Sequence, residues 1–329
     1  MYVKREIDPE IIWFFSWKQM CVIAVFASII YVLFEYVGLR KIAIPFLPIA
    51  TVGTAVAFYV GFKNNSSYDR LWEARKIWGE ITNTSRSIAA YILAVSRTDG
   101  AQDEAKRFIH KQIAFVNLLR IQLRKRNVWD DTDLYVRMSK ECFPSIPFEE
   151  EVLGTLTEHC SPEEVTNFLT SKNIAKELLK AQMQILTSMK DRGWLDGYEH
   201  SDVMRMCADL YAHQGKAERI KSFPFPRQYA YFSEVFVDIF IFLLPFGLIG
   251  EFYKLDPEIT WLTIPFTMLI AWIFTTMEKV GDTSENPFER NLNDIPMSAI
   301  CRNIEIDLRE MLGEDNLPEP LAAVDNILM

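Results

Sequence analysis

The chain has 329 residues, half of them hydrophobic, and a formal net charge of −9 from 35 basic and 44 acidic residues. Its apolar residues gather in long blocks beside a charged middle stretch, which argues against an ordinary soluble globule. The acidic balance is spread out, and no basic run interleaved with aromatics speaks for a nucleic-acid partner.

Five cysteines, Cys21, Cys142, Cys160, Cys207 and Cys301, lie far apart and form no CxxC pair. That pattern suits a reducing compartment. The first apolar block begins near Ile11 without a small-residue cleavage site, so no signal peptide is expected.

A helix needs about 20 mostly apolar residues to cross a bilayer core. Residues 17–37, 42–62, 232–250 and 259–277 each satisfy this. In the first, Lys18 and Glu35 lie near the two ends. The second is uncharged, with Pro45 and Pro48 near its start and several small residues. The third has Glu234 and Asp238 in its first turns, and the fourth is uncharged. Buried helices of soluble proteins rarely run this long without a polar face. Trp13, Trp17, Tyr36, Tyr253 and Trp261 near the block ends fit the aromatic belts of a bilayer interface. Lys4, Arg5 and Lys18 before or at the start of the first span, and Lys63, Arg70, Arg75 and Lys76 after the second, put both termini and the middle region in the cytoplasm. Arg40 and Lys41 in the first hairpin vote the other way.

The middle region reads as helical. Residues 68–95 place Leu71, Ala74, Ile77, Trp78, Ile81, Ile88 and Ile92 near one face, and no breaker separates them from the second span. The spanning helix is therefore expected to run on. Residues 103–126 form a second amphipathic helix, with Phe108, Ile109, Ile113, Val116, Leu119 and Leu123 inward. Residues 127–151 read as a loose connection rich in Asp, Glu and Pro. Ser161-Pro162-Glu163-Glu164 reads as a helix start, because serine caps free N–H groups, proline fits the first turn and the acids oppose the positive helix end. Further helices are expected over 173–191, 199–219 and 297–312. The fold class is all-α: four transmembrane helices plus a helical cytoplasmic domain. The chain divides into 1–62 with the first two spans, 63–228 as the cytoplasmic domain, 229–277 with the last two spans, and a C-terminal cytoplasmic segment over 278–329.

Catalytic signatures are absent: there is no GxSxG, Walker-type loop or GxGxxG. No enzyme activity and no cofactor are expected. His110, His159, His200 and His213 show no metal-ligand spacing, and the side chains of adjacent His159 and Cys160 diverge on a helix. No metal site is expected. Glu35, Glu234 and Asp238 lie near span ends, where snorkelling or a hydrated mouth accounts for them. The NxS/T sequons at Asn64, Asn65 and Asn83 fall on the cytoplasmic side and are read as accidental.

The second span carries one informative pattern. Thr54, Phe58 and Phe62 are spaced by four and share a helix stripe, with the small residues Ala50, Ala57 and Gly61 close by. Two accounts stand open from periodicity alone. The phenyl groups pack on another helix or lipid, or they form rings in an oligomer and make a dry constriction of the kind that gates by dewetting. One such helix per chain cannot enclose a pore, so the second account needs a ring of subunits.

The run from Phe58 to Gly79, FYVGFKNNSSYDRLWEARKIWG, resembles the bacterial branch of the bestrophin family, where a phrase like F-R-N-N-x-x-Y-x-R-W-W-E-A-R-K-x-W-G follows the second span. Pro224-Phe225-Pro226 with Tyr229 before the third span agrees. So do Glu285-Asn286-Pro287-Phe288 and Asn293-Asp294-Ile295-Pro296 after the fourth, which are similar to the family's N-P-F-G and N-D-L-P phrases. The resemblance implies a homopentameric channel of the bacterial inner membrane with one central pore, conducting chloride. It implies a pore neck at Thr54, Phe58 and Phe62, counted from Arg70, and a cytoplasmic aperture at Ile220, carried by the phrase Glu218-Arg219-Ile220. Its expected partners are permeating ions, the lipid bilayer and further copies of the same chain.

Two departures from the family pattern stand out. Thr54 is polar where the family usually has an aliphatic residue, which makes the top of the neck wetter. The calcium clasp of animal relatives uses a dense acidic run after N-P-F. Here Glu289 is followed by Arg290, Asn291, Leu292 and Asn293 before Asp294, too few carboxylates for Ca²⁺. The sign of the ion stays open: phenyl edges are partly positive and favour anions, while the acidic net charge favours cations at a vestibule. A cation channel of the same fold and a non-conducting scaffold or sensor are the alternatives.

Overall fold

Hydrophobic runs and capping residues resolve into helices along almost the whole chain. The computed structural model describes residues 1–7, 9–125, 146–291 and 293–329. In order they form α1 (Pro9–Glu35), a 3-10 turn (Arg40–Ile42), α2 (Phe46–Val95), α3 (Asp99–Leu123), α4 (Phe148–His159), α5 (Pro162–Leu169), α6 (Ile174–Asp191), α7 (Gly197–Ser222), α8 (Arg227–Leu255), a second 3-10 segment (Pro257–Leu262), α9 (Thr263–Glu285) and α10 (Met297–Met311). Among the described residues, β-pairing is limited to isolated bridges. Most of the connection expected over 127–151 lies outside the described residues.

The chain divides into two compact units. One holds Lys4–Arg70 and Pro224–Glu285, and so contains α1, the first half of α2, α8 and α9. Among the described residues, four helical segments are long and apolar enough to cross a membrane, and they begin at Ser16, Arg40, Arg227 and Pro257. Their core is Ile23, Ile49, Val56, Val60, Val237, Phe240, Ile241, Leu244, Leu248 and Ala271. Small residues set the close approaches: a Cβ on Gly53 would stand 2.5 Å from the Phe240 ring, and one on Gly247 would stand 2.6 Å from Ile49. Membrane helices use small residues this way, since packing rather than hydrophobicity holds them together. Much of the remaining apolar surface faces outward, including Val22, Val25 and Ile29 on α1, Ile239 and Phe242 on α8, and Leu269 and Ile273 on α9. An exposed apolar area of this size is what a bilayer or neighbouring subunits cover.

One of the two dissenting charges of the first hairpin, Arg40, is engaged by its neighbours. Arg40 pairs with Glu35 at 3.2 Å and lays its guanidinium over the rings of Phe34 and Tyr253, at 4.5 and 4.4 Å. Tied down by cation–π contact, Arg40 carries little weight as an orientation signal.

The division differs from the boundaries at 63, 228 and 277 read from composition. Residues 63–70 and 278–285 group with the spanning helices because polar contacts hold them together. Lys63 is buried and pairs with Glu278 and with Asp282, the latter at 2.5 Å. Ser233 donates to Glu278 at 2.6 Å, Asn64 to the Met277 carbonyl at 3.0 Å, and Arg70 to the Glu285 carbonyl at 3.0 Å.

The second unit holds Met1–Val3, Leu71–Phe223 and Asn286–Met329. Helix α3 is its centre. Phe108, Ile109, Ile113, Val116, Leu119 and Leu123 are all buried, as the periodicity predicts, and so are its polar residues Lys111 and Gln112. Both of these side chains have partners. Lys111 reaches Glu164 at 2.6 Å; Gln112 donates to Ser85 at 2.8 Å and accepts from Gln182 at 3.0 Å. Trp78, Ile81, Ile88 and Ile92 of α2 pack in the same core. Glu164 also accepts from the Ser161 backbone N–H at 3.1 Å, closing the cap read from the sequence. The chain ends meet: the Val3 N–H donates to the Asn326 carbonyl at 2.9 Å and Leu328 to that of Met1 at 2.8 Å.

Asp294 is buried in this unit, and neither carboxylate oxygen meets a well-aligned donor. Burial pushes its carboxyl up to about 8, helped by the charge of Glu289 and opposed by the Asn291 backbone and the chain's amino terminus. The stability this group lends is complete below its ordinary value of 3.8 and is lost as pH rises through about 8. Asp294→Asn should therefore raise the thermal midpoint at pH 8 and converge with the wild type in acid. A variant no more stable than wild type at pH 8 would contradict the assignment.

Candidate ion pathway

Helix α2 has two unlike faces within the spanning unit. Ile49, Val56, Val60 and Lys63 are buried, at helical spacing. At about 100° per residue, Thr54, Phe58 and Phe62 fall on the opposite side. Phe58 is 67% exposed and Phe62 71% exposed, and Thr54 is exposed as well. The inner face is fixed by Gly53 against Phe240 and by the Lys63 ion pairs. Two large phenyl groups one turn apart therefore stand outside the chain's own core.

The Thr54 hydroxyl donates to the Ala50 carbonyl at 3.0 Å, and Thr51 does the same to Leu47 at 3.0 Å. Its proton is thus spent within the helix. What Thr54 offers outward is a methyl group and an oxygen lone pair, less wetting than a free hydroxyl.

Ile220 behaves differently. It lies near the end of α7 and is 5% exposed, inside the core of its unit. In the single chain the large apolar side chain outside the core at that helix end is Phe223, 74% exposed. The stripe on α2 lies at the surface of the single chain, and Ile220 does not.

Of the acids near the span ends, Glu35 pairs with Arg40, while Glu234 and Asp238 lie one turn apart on the exposed side of α8. Glu289, part of the reduced acidic run, pairs with Lys221. Lys63 was missed as a structural residue by sequence reasoning. Its partners lie 215 and 219 positions away, and the only local signal was a charge at the end of an otherwise apolar run.

Together these features define a multi-span α-helical membrane protein whose second span turns an unpacked aromatic stripe outward. The sequence pattern of the bacterial and fungal bestrophin proteins matches residues 11–310. The chain belongs to that family. The voltage-dependent anion channel-forming protein YneE of Escherichia coli K12 is 28% identical over 285 residues, covering 87% of this chain and 82% of that one. The voltage-dependent anion channel-forming protein RSc3414 of Ralstonia nicotianae is 28% identical over 276 residues, covering 84% and 80%. A bacterial bestrophin homolog from Klebsiella pneumoniae has a similar fold, with a TM-score of 0.77 at 22% identity over 90% of this chain and 98% of that one.

Proposed function

We propose that this chain is a subunit of an anion channel, with chloride as the expected ion, in which several copies surround one central pore. The observation that carries the reading is the exposed Thr54–Phe58–Phe62 stripe on a helix whose other face is locked into the core. A ring of such stripes makes an apolar constriction that opens by wetting. Ring edges turned towards the axis favour an anion over a cation, because the quadrupole puts partial positive charge at the edge.

Five copies is the assembly that the family phrase implies. The bacterial inner membrane is the expected location, with both termini cytoplasmic by the distribution of Lys and Arg. The relatives named as voltage-dependent anion channel-forming proteins support the choice of ion class. An aperture at the end of α7 rests on the family phrase alone. Separate substitutions of Ile220 and Phe223 to alanine distinguish the two residues, since only the one lining the path should change conductance.

The test is ion flux from liposomes holding the purified protein under a chloride gradient. Currents reversing near the chloride equilibrium potential are expected. Reversal at the cation potential would replace the anion reading with a cation channel, which the exposed Glu234 and Asp238 would suit. Assembled protein without flux would leave a scaffold.

A further inference from the structure

Away from α2, residues from three parts of the chain converge on His159, at the end of α4. Its ring stacks on that of His110 from α3, with centroids 5.7 Å apart and Nδ1 facing Nδ1 at 3.4 Å. The His110 Nε2 lies 3.0 Å from Oε1 of Glu314. Glu314 also accepts from Arg309 Nε at 2.8 Å and lies 3.4 Å from Lys106. On the far side of His159, ligand atoms of Glu158, His159 and Glu305 all lie within 4.8 Å of one another.

With both rings neutral, one arrangement of protons satisfies these contacts. An ionised Glu314 only accepts, so His110 carries its proton on Nε2 and, as a neutral ring, has a bare Nδ1. His159 then donates from its own Nδ1. That leaves the His159 Nε2 with a lone pair, 3.9 Å from Oε2 of Glu158. The His159 side chain is only 4% exposed. One imidazole lone pair and two carboxylates thus point at a common space, all acceptors. Arg309 at 3.3 Å and Arg302 at 3.6 Å offset part of the Glu305 charge, and the Arg309 charge also acts on His159.

We infer that Glu158, His159 and Glu305 form a binding site for a divalent transition-metal cation such as Zn²⁺. Imidazole with carboxylates suits that class, whereas Ca²⁺ and Mg²⁺ prefer oxygen alone. Three protein ligands leave a fourth position for water. Bond lengths of about 2.0–2.2 Å require the ligands to draw closer together, and Glu158, whose side chain is mostly exposed, is free to make that movement. The His110–Glu314 chain is the orienting support that a metal-bound histidine normally has behind it. Helical spacing could not show this site, because its ligands come from residues 158–159 and 305 and its support from 110 and 314. It goes beyond the expectation read from the sequence, and it does not depend on what the protein conducts.

The test uses the whole protein in detergent at pH 8, stripped with chelator and titrated with Co²⁺. One Co²⁺ per chain is expected, with visible bands of an imidazole-bound low-coordinate ion, displaced by Zn²⁺. His159→Gln and Glu305→Gln should each weaken binding at least tenfold. His110→Phe should weaken it by roughly 10–100-fold, the usual effect of removing the group behind a ligand. Glu158→Gln changes a surface side chain and serves if the buried variants do not fold; it too should bind more weakly. Absence of Co²⁺ binding by the wild type at millimolar metal, or undiminished binding in the Gln variants, would overturn the site.

Discussion

Phe58→Ala should raise single-channel conductance severalfold while leaving the protein as stable as before. The side chain is 67% exposed and makes no part of the spanning core. Substitutions outside a core usually change stability by no more than about 0.5 kcal/mol. In a ring of copies, by contrast, each lost phenyl widens the same constriction and removes the apolar wall that keeps it dry. Val60→Ala is the matched control. Val60 is fully buried on the opposite face, so its truncation should lower the thermal midpoint and leave conductance alone. Planar-bilayer recordings of the two variants decide the matter: unchanged currents in Phe58→Ala would remove it from the pore. Cysteine scanning across the helix adds a second check. Positions 54, 58 and 62 should react with a water-borne thiol reagent applied to the open channel, and 56 and 60 should not.

Lys63→Met should be the most damaging single change to the fold. Lys63 and Glu278 are both buried, and Asp282 is partly exposed. Removing the lysine strands Glu278 with only Ser233 as a donor. Loss of one member of a buried ion pair typically costs roughly 3–5 kcal/mol. The double variant Lys63→Met with Glu278→Gln should recover most of that loss, because the amide is neutral and can still bond Ser233. Thermal unfolding in detergent, followed by size-exclusion chromatography, measures both. A single variant as stable as wild type would show that the ion pair contributes nothing, and a double variant no better than the single would show that charge is not the cause.

Period and phrase carried the α2 stripe, and for a physical reason. Its two faces differ along one helix, so spacing alone separates Val56 and Val60 from Phe58 and Phe62. The α3 core was legible in the same way. Helix α4 was not, since its Pro147 and the acids Glu149, Glu150 and Glu151 look like a loop in composition. In the structure those acids occupy the first turn of the helix, where negative charge opposes the helix dipole. Lys63 and His159 share a different obstacle. What each does depends on partners far away in sequence, which no local window contains. For Ile220 the family phrase points to the end of α7, while the burial of the side chain follows from packing that the phrase does not encode.

The unequal faces of α2 also bear on how such a protein can change over generations. The inward positions are held by close packing and ion pairs, so substitutions there are penalised through folding before any effect on transport is felt. The outward positions carry no such penalty. On the proposed reading, single changes at Thr54, Phe58 or Phe62 are tolerated by the fold and are visible to selection through what passes along that face, which leaves transport properties free to diverge among relatives that keep the same scaffold.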